Sequence, residues 1–237
     1  SQVVAITTTD FAALTTAQVV ALTTGQVASL TTAQIGALTT AQAAAIETAD
    51  IAALKTTQVA ALTTLQISTL ETTDLMLLST SQLRAFSTGD IAALSADAVA
   101  ALTGEQVAGL TTSQVRAIDG TDLAALGASD LQEFTGTQMK ALSSQQLNAL
   151  DAADWGSFSA AQFAALTTQQ IRLMDAGDVA ALQIEGVTVI VNTKRSQCHS
   201  LDCFTKLGID PNKVLYTPQG RPTHLVSDPT PIAELMG

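Results

Sequence analysis

Thr31-Thr32-Ala33-Gln34-Ile35-Gly36-Ala37-Leu38 decides the fold, because the residues on either side repeat the same pattern. Leu14, Leu22, Leu30, Leu38, Ile46, Leu54, Leu62, Leu70 and Leu78 recur at a spacing of eight, and the register holds from Phe86 to Leu182. Twenty-two octads therefore run from Thr7 to Leu182 without an insertion. Gln2, Val3 and Ile6 fall in register ahead of them, so the array is expected to extend upstream. A fixed short period is the mark of a repeat architecture, in which units too small to fold alone stack on their neighbours.

Each slot of the octad has its own chemistry. The first is mostly Thr, Ser, Asp or Glu, and the fourth is Gln or Asp in every octad but that of Ala98. This is the spacing of a capping box, in which two side chains satisfy the free N–H groups at a helix start, so a helix begins in every octad. Slots five and eight are large and apolar, as in Val19 with Leu22, Leu83 with Phe86, and Trp155 with Phe158. A spacing of three puts both on one face of a helix but on opposite faces of a strand, which excludes a β-solenoid. Slot seven is nearly always Ala, Ser or Gly, as close helix contact requires, whereas slot six admits Arg84, Arg116, Lys140 and Arg172 and should face water.

One long helix does not fit. At about 100° per residue the apolar stripe would rotate by roughly 80° per octad and wind round the rod. The spacing predicts instead helices of about two turns, each followed by a bend at the next hydroxyl or carboxylate. With no proline in the array, the bends rest on capping side chains. The fold class expected is an all-α repeat, an α-solenoid of about twenty-two short octapeptide helices burying slots five, seven and eight, with a small α+β C-terminal module. Whether two or three octads close a turn stays open; aspartates at slot four (Asp50, Asp74, Asp122; Asp130, Asp154, Asp178) hint at 24 residues, or three octads.

Residues 1–182 form the array and 183–237 a different module, which holds all five prolines, both histidines, both cysteines and the single tyrosine. Val187 to Asn192 reads as a strand, Ser200 to Leu207 as a short helix, and Lys213 to Thr217 as a second strand before a turn at Pro218-Gln219-Gly220. So short a segment suits a cap over the open apolar end of the solenoid, or the start of a C-terminal module.

Hydrophobic residues make up 47% of the chain and charged ones 13%, which excludes disorder, while no run of eighteen apolar residues exists to span a membrane. The net charge of −11 lies in the array, with sixteen Asp/Glu against five Lys/Arg. Such a surface repels nucleic acid and anionic lipid.

Cys198, His199, Cys203 and His224 are ligand types that zinc accepts, but the order C-H-x3-C departs from the usual paired spacing. A Cys198–Cys203 disulfide and a Cys198-His199 nucleophile with its base are the other readings, the second without an orienting acid; ordinary reduced cysteines are the expectation. The Thr and Gln/Asp ladders could present regular ligands to ice, sugar or calcium, but slots one and four are occupied in capping and the aspartates are too dispersed for calcium. No catalytic, cofactor-binding or metal residue is assigned, no cofactor is implied, and the chain is read as non-enzymatic.

The tandem A-L-T-T-x-Q-V-A motif over residues 2–182 resembles octapeptide arrays of very large secreted or surface proteins of Gram-negative bacteria, of the adhesin, haemagglutinin-like and exported-toxin kind. That resemblance implies an extracellular or cell-surface spacer or adhesive stalk with a protein or cell-surface partner, and carries over no functional residue. Val189 to Gln197, followed by Phe204 to Pro211, resembles part of the C-terminal domain of the microcystinase C (M81-type metallopeptidase) family, whose zinc-binding domain has no counterpart here. Leu14 to Leu22, LTTAQVVAL, is similar to the first helix of the DNA-binding repeats of transcription-activator-like effectors, but their longer period and basic stripe are absent. Two functions follow: a stalk, spacer or protein-binding scaffold, or a carrier for an enzymatic or toxin module that includes residues 183–237.

Overall fold

In a computed structural model, residues 2–174, 214–216 and 222–224 are described. The chain divides into two compact units, Ser1–Val187 and Thr188–Gly237.

The octad holding α4 (Thr32–Ala37) shows how the first unit is built. Thr31 is the N-cap, with extended backbone at φ −76° and ψ 156°. Its hydroxyl accepts the Gln34 N–H at 3.2 Å, and Gln34 Oε1 accepts the Thr31 N–H at 2.9 Å, completing the capping box. The helix ends when Leu38 donates its N–H to the Ile35 carbonyl at 3.2 Å and turns extended at φ −59° and ψ 138°. Thr39 then caps the next helix. None of the nine described glycines adopts a positive φ, so the bend needs no left-handed residue.

Twenty-one helices of four to six residues follow one another among the described residues, from α1 (Thr8–Ala12) to α21 (Thr168–Leu173), after a 3-10 turn at Gln2–Ala5. They are shorter than the two turns expected, because slot eight is already extended. The box tolerates partial loss: Lys55 has no acceptor to offer as an N-cap, yet its N–H still reaches Gln58 Oε1 at 2.8 Å.

Each helix packs on the helix three octads away, α1 on α4 and so on through α18 (Ser144–Leu147) on α21. Three octads, 24 residues, thus complete one superhelical turn, and the helices stack in three columns. This is an all-α repeat solenoid. Slots five and eight form its continuous core, from Phe11 and Ile35 through Leu75 and Val107 to Met139 and Trp155, all six fully buried.

Slot seven departs from expectation, being mostly half-buried, while slot four is buried in its place, with Gln34 only 2% exposed. Slot seven is small for contact between turns. A Cβ at Gly109 would fall 2.8 Å from the Thr80 side chain, and one at Gly120 would fall 2.8 Å from Ala149 Cβ. Slot two of one octad meets slot seven of the octad a full turn on.

In the second unit, β1 (Val214–Tyr216) lies within the strand expected at 213–217 and pairs antiparallel with β2 (Pro222–His224) in the register Val214↔His224, Leu215↔Thr223, Tyr216↔Pro222. The strand expected at 187–192, the helix at 200–207 and the turn at 218–220 lie outside the described residues.

Candidate functional site: a cross-turn amide clamp and its surface

The stacking places the amino end of each helix over the carboxyl end of the helix four octads back, where carbonyls lack partners within their own helix. Slot-four glutamine fills that junction. While Oε1 accepts the slot-one N–H, Nε2 donates to the slot-five and slot-eight carbonyls of the turn below. Gln34 Nε2 reaches Val3 O and Ile6 O at 2.9 Å each. Gln114 reaches Leu83 O at 2.8 Å and Phe86 O at 3.0 Å, and Gln146 reaches Val115 O and Ile118 O at 2.7 Å each. The same bridge is made by Gln42, Gln58, Gln66, Gln106, Gln138, Gln162 and Gln170, and Gln82 makes a variant of it, donating to the slot-six carbonyl of Ala52 and the slot-eight carbonyl of Leu54.

Reading slot four as a cap alone missed this role. Capping boxes accept Glu as readily as Gln, yet no slot four holds Glu. Only an amide offers an acceptor to its own octad and a donor to the next turn.

Slot-four aspartates keep the acceptor and lose the donor. Asp90 crosses the turn another way, its Oδ1 accepting the Thr64 hydroxyl at 2.7 Å. Burial pushes the carboxyls of Asp74, Asp122, Asp130 and Asp154 above the ordinary 3.8, and the nearby carboxylates Glu71, Asp119, Glu133 and Asp151 respectively push the same way. The slot-six arginines are exposed as expected but also tie turns together: Arg84 Nε donates to Gly109 O at 2.7 Å and Arg116 Nε to Ala141 O at 3.1 Å. Leu65, Met76 and Leu77 are the most exposed large apolar side chains among the described residues, at 66%, 49% and 57%.

Cys198, His199 and Cys203 lie outside the described residues, and of His224 only its place in β2 opposite Val214 is described. Among the described residues no three His, Cys, Asp or Glu side chains group as metal ligands, and no helix is long and apolar enough to cross a membrane.

The first unit defines a class, the octapeptide-repeat α-solenoid. Within it, residues 3–40, 43–74, 67–104 and 88–119 match the ALTTAQ repeat family model. Residues 159–217 match the model of the MlrC C-terminus, a span that begins inside the array and includes α20 (Ala160–Ala165) and α21. No curated protein matches the chain.

Proposed function

We propose that residues 1–182 are a non-enzymatic spacer or protein-binding scaffold of an exported bacterial protein, extended by adding interchangeable octads and facing an extracellular or cell-surface partner. The observation that supports it most is the clamp: eleven glutamines each reach the slot-eight carbonyl four octads back, ten of them together with the slot-five carbonyl, so an octad is a unit of length rather than the carrier of a unique site. The capping hydroxyls and the eleven clamping glutamines are committed to holding their own helices and the turn below.

Deletion of octads tests this. Because every helix packs three octads on, removing Thr111 to Ile118 lets the flanking octads restack but turns the downstream columns by one position, about a third of a turn. Removing the three octads from Thr111 to Phe134 restores each column to its place. A spacer tolerates both, with partner capture changed only through reach. Loss of capture after one particular deletion, with melting unchanged, would instead identify a specific binding face.

A second reading, that the array carries an enzymatic or toxin module, is favoured by the match of residues 159–217 to the MlrC C-terminus. It requires that residues 183–237, fused to unrelated repeats, retain an activity.

A further inference from the structure

We infer that the solenoid has a yielding seam, a column of stacked helices along which successive turns part before the other two columns do. The inference rests on where the clamps are missing. From α4 onward each turn of three helices carries at least one slot four that is not glutamine, and the gap recurs in one column: Asp50 in α6 (Thr48–Ala52), Asp74 in α9 (Thr72–Leu77), Ala98 in α12 (Ala96–Ala100) and Asp122 in α15 (Gly120–Ala124). Beside them, Gln58, Gln82 and Gln106 clamp one neighbouring column in successive turns, and Gln42, Gln66, Gln114 and Gln138 clamp the other, with Asp90 held by the Thr64 hydroxyl.

The missing donors leave a specific trace. Gln58 Nε2 reaches Leu30 O at 2.9 Å and Gln106 Nε2 reaches Leu78 O at 2.7 Å, but among the described residues no donor reaches the carbonyls of Leu22, Ile46, Leu70 and Leu94, which stand 28 residues before the four gaps. A carbonyl without a protein donor is paired with water or left unpaired, and either lowers the cost of opening the junction. In this column Thr48 lies near the Asp74 carboxylate across the turn and favours its charged form, but no hydrogen bond of the kind that joins Thr64 to Asp90 is formed.

Charge acts in the same direction. The octads 47–54, 71–78, 95–102 and 119–126 contain Glu47, Asp50, Glu71, Asp74, Asp97, Asp119 and Asp122 and no lysine or arginine. Their helices stack on one another, so like charges face across successive turns with no cation of their own column between them. The neighbouring columns carry Lys55 and Arg84 on one side and Arg116 on the other over the same span. At α16 (Ala128–Leu131) and α19 (Ala152–Ser157) the gap moves to the adjacent column, with Asp130 and Asp154, while Gln146 restores the clamp in the first. The seam therefore covers residues 47–126 on one side, and an array strained along its length opens there.

Residue-resolved hydrogen exchange of the full chain tests the seam. The amides of octads 47–54, 71–78, 95–102 and 119–126 should exchange at least about tenfold faster than those of octads 55–62, 79–86 and 103–110, and the gap should narrow as added salt screens the carboxylates. The variant D50Q/D74Q/A98Q/D122Q should abolish the difference. Should it fail to fold, D122Q alone should slow exchange in 119–126, and Q82D should speed it in 79–86. Equal protection in all three columns, or the same pattern after D122Q and Q82D, would overturn the seam.

Discussion

Replacing Gln114 by leucine would remove one side chain and strand two backbone groups, the Thr111 N–H, held at 3.0 Å, and the Phe86 carbonyl, while the Leu83 carbonyl would lose one of its two donors and keep the Phe86 N–H at 3.1 Å. A buried polar group left unpaired costs about 1–3 kcal/mol, so Gln114→Leu should lose roughly 2–4 kcal/mol by chemical denaturation even though leucine suits a buried position. Gln114→Glu keeps the cap and should lose nearly as much, because the carboxylate cannot donate. A mild Gln114→Glu would mean that capping is the whole role of slot four. The reverse change, Asp122→Gln, should add about 1–2 kcal/mol by supplying the donor missing at the Leu94 carbonyl. Acidity acts on the same positions. The folded-state carboxyls of Asp74, Asp122, Asp130 and Asp154 are raised above 3.8, so the folded chain binds these protons more tightly than the unfolded chain does. Their contribution to stability therefore grows as pH falls through the raised folded values and is complete below 3.8. The melting temperature should rise on mild acidification from neutral pH, and less so in Asp122→Gln; a fall over that interval would show that these carboxyls are not what limits the stack.

At the scale of the helix, a four- to six-residue segment has no stability of its own in water, and both its caps and its neighbours hold it. Thr111→Ala removes one N-cap hydroxyl and should cost about 1 kcal/mol. Leu110→Asp places a charge in slot eight, where Leu110 is 3% exposed, and should cost several times more. Comparable losses for the two would remove slot eight from the core. The octad's helices, caps and core pair were legible in the sequence because capping and burial impose fixed residue types at fixed offsets, as in Thr111, Gln114, Val115 and Ile118. The number of octads per turn was only hinted at, by the spacing of the slot-four aspartates, since it depends on how Gly120 meets Ala149 and how Gln114 meets Leu83, contacts that no spacing within one octad encodes. The absence of glutamate from slot four was the legible trace of the clamp. Slot seven misled because a small residue answers equally to a core contact and to a contact between turns.

The whole array follows from one relation, that a helix rests on the helix three octads before it and is clamped to the junction just behind that one. Deleting Thr111 to Gln114 breaks this relation for everything downstream, joining Leu110 to Val115 without a cap, and should lower the melting temperature far more than deleting Thr111 to Ile118 does. Trp155, the single tryptophan, is fully buried against Phe158 and Phe163 at centroid distances of 5.6 and 6.0 Å, so its fluorescence reports on whether the downstream turns still close. The most direct measurement is disulfide trapping of the turn itself, with Cys198 and Cys203 replaced by serine. A Cβ at Gly136 would stand 3.3 Å from Ala165 Cβ, three octads on, close to the roughly 3.5–4.5 Å that a disulfide spans. The pair Gly136→Cys with Ala165→Cys should oxidise readily and raise the melting temperature. Gly136→Cys paired with Ser157→Cys, two octads on, or with Leu173→Cys, four octads on, should stay reduced under the same conditions. Rapid crosslinking of either of these pairs, with the Gly136–Ala165 pair remaining open, would contradict a solenoid of three octads per turn.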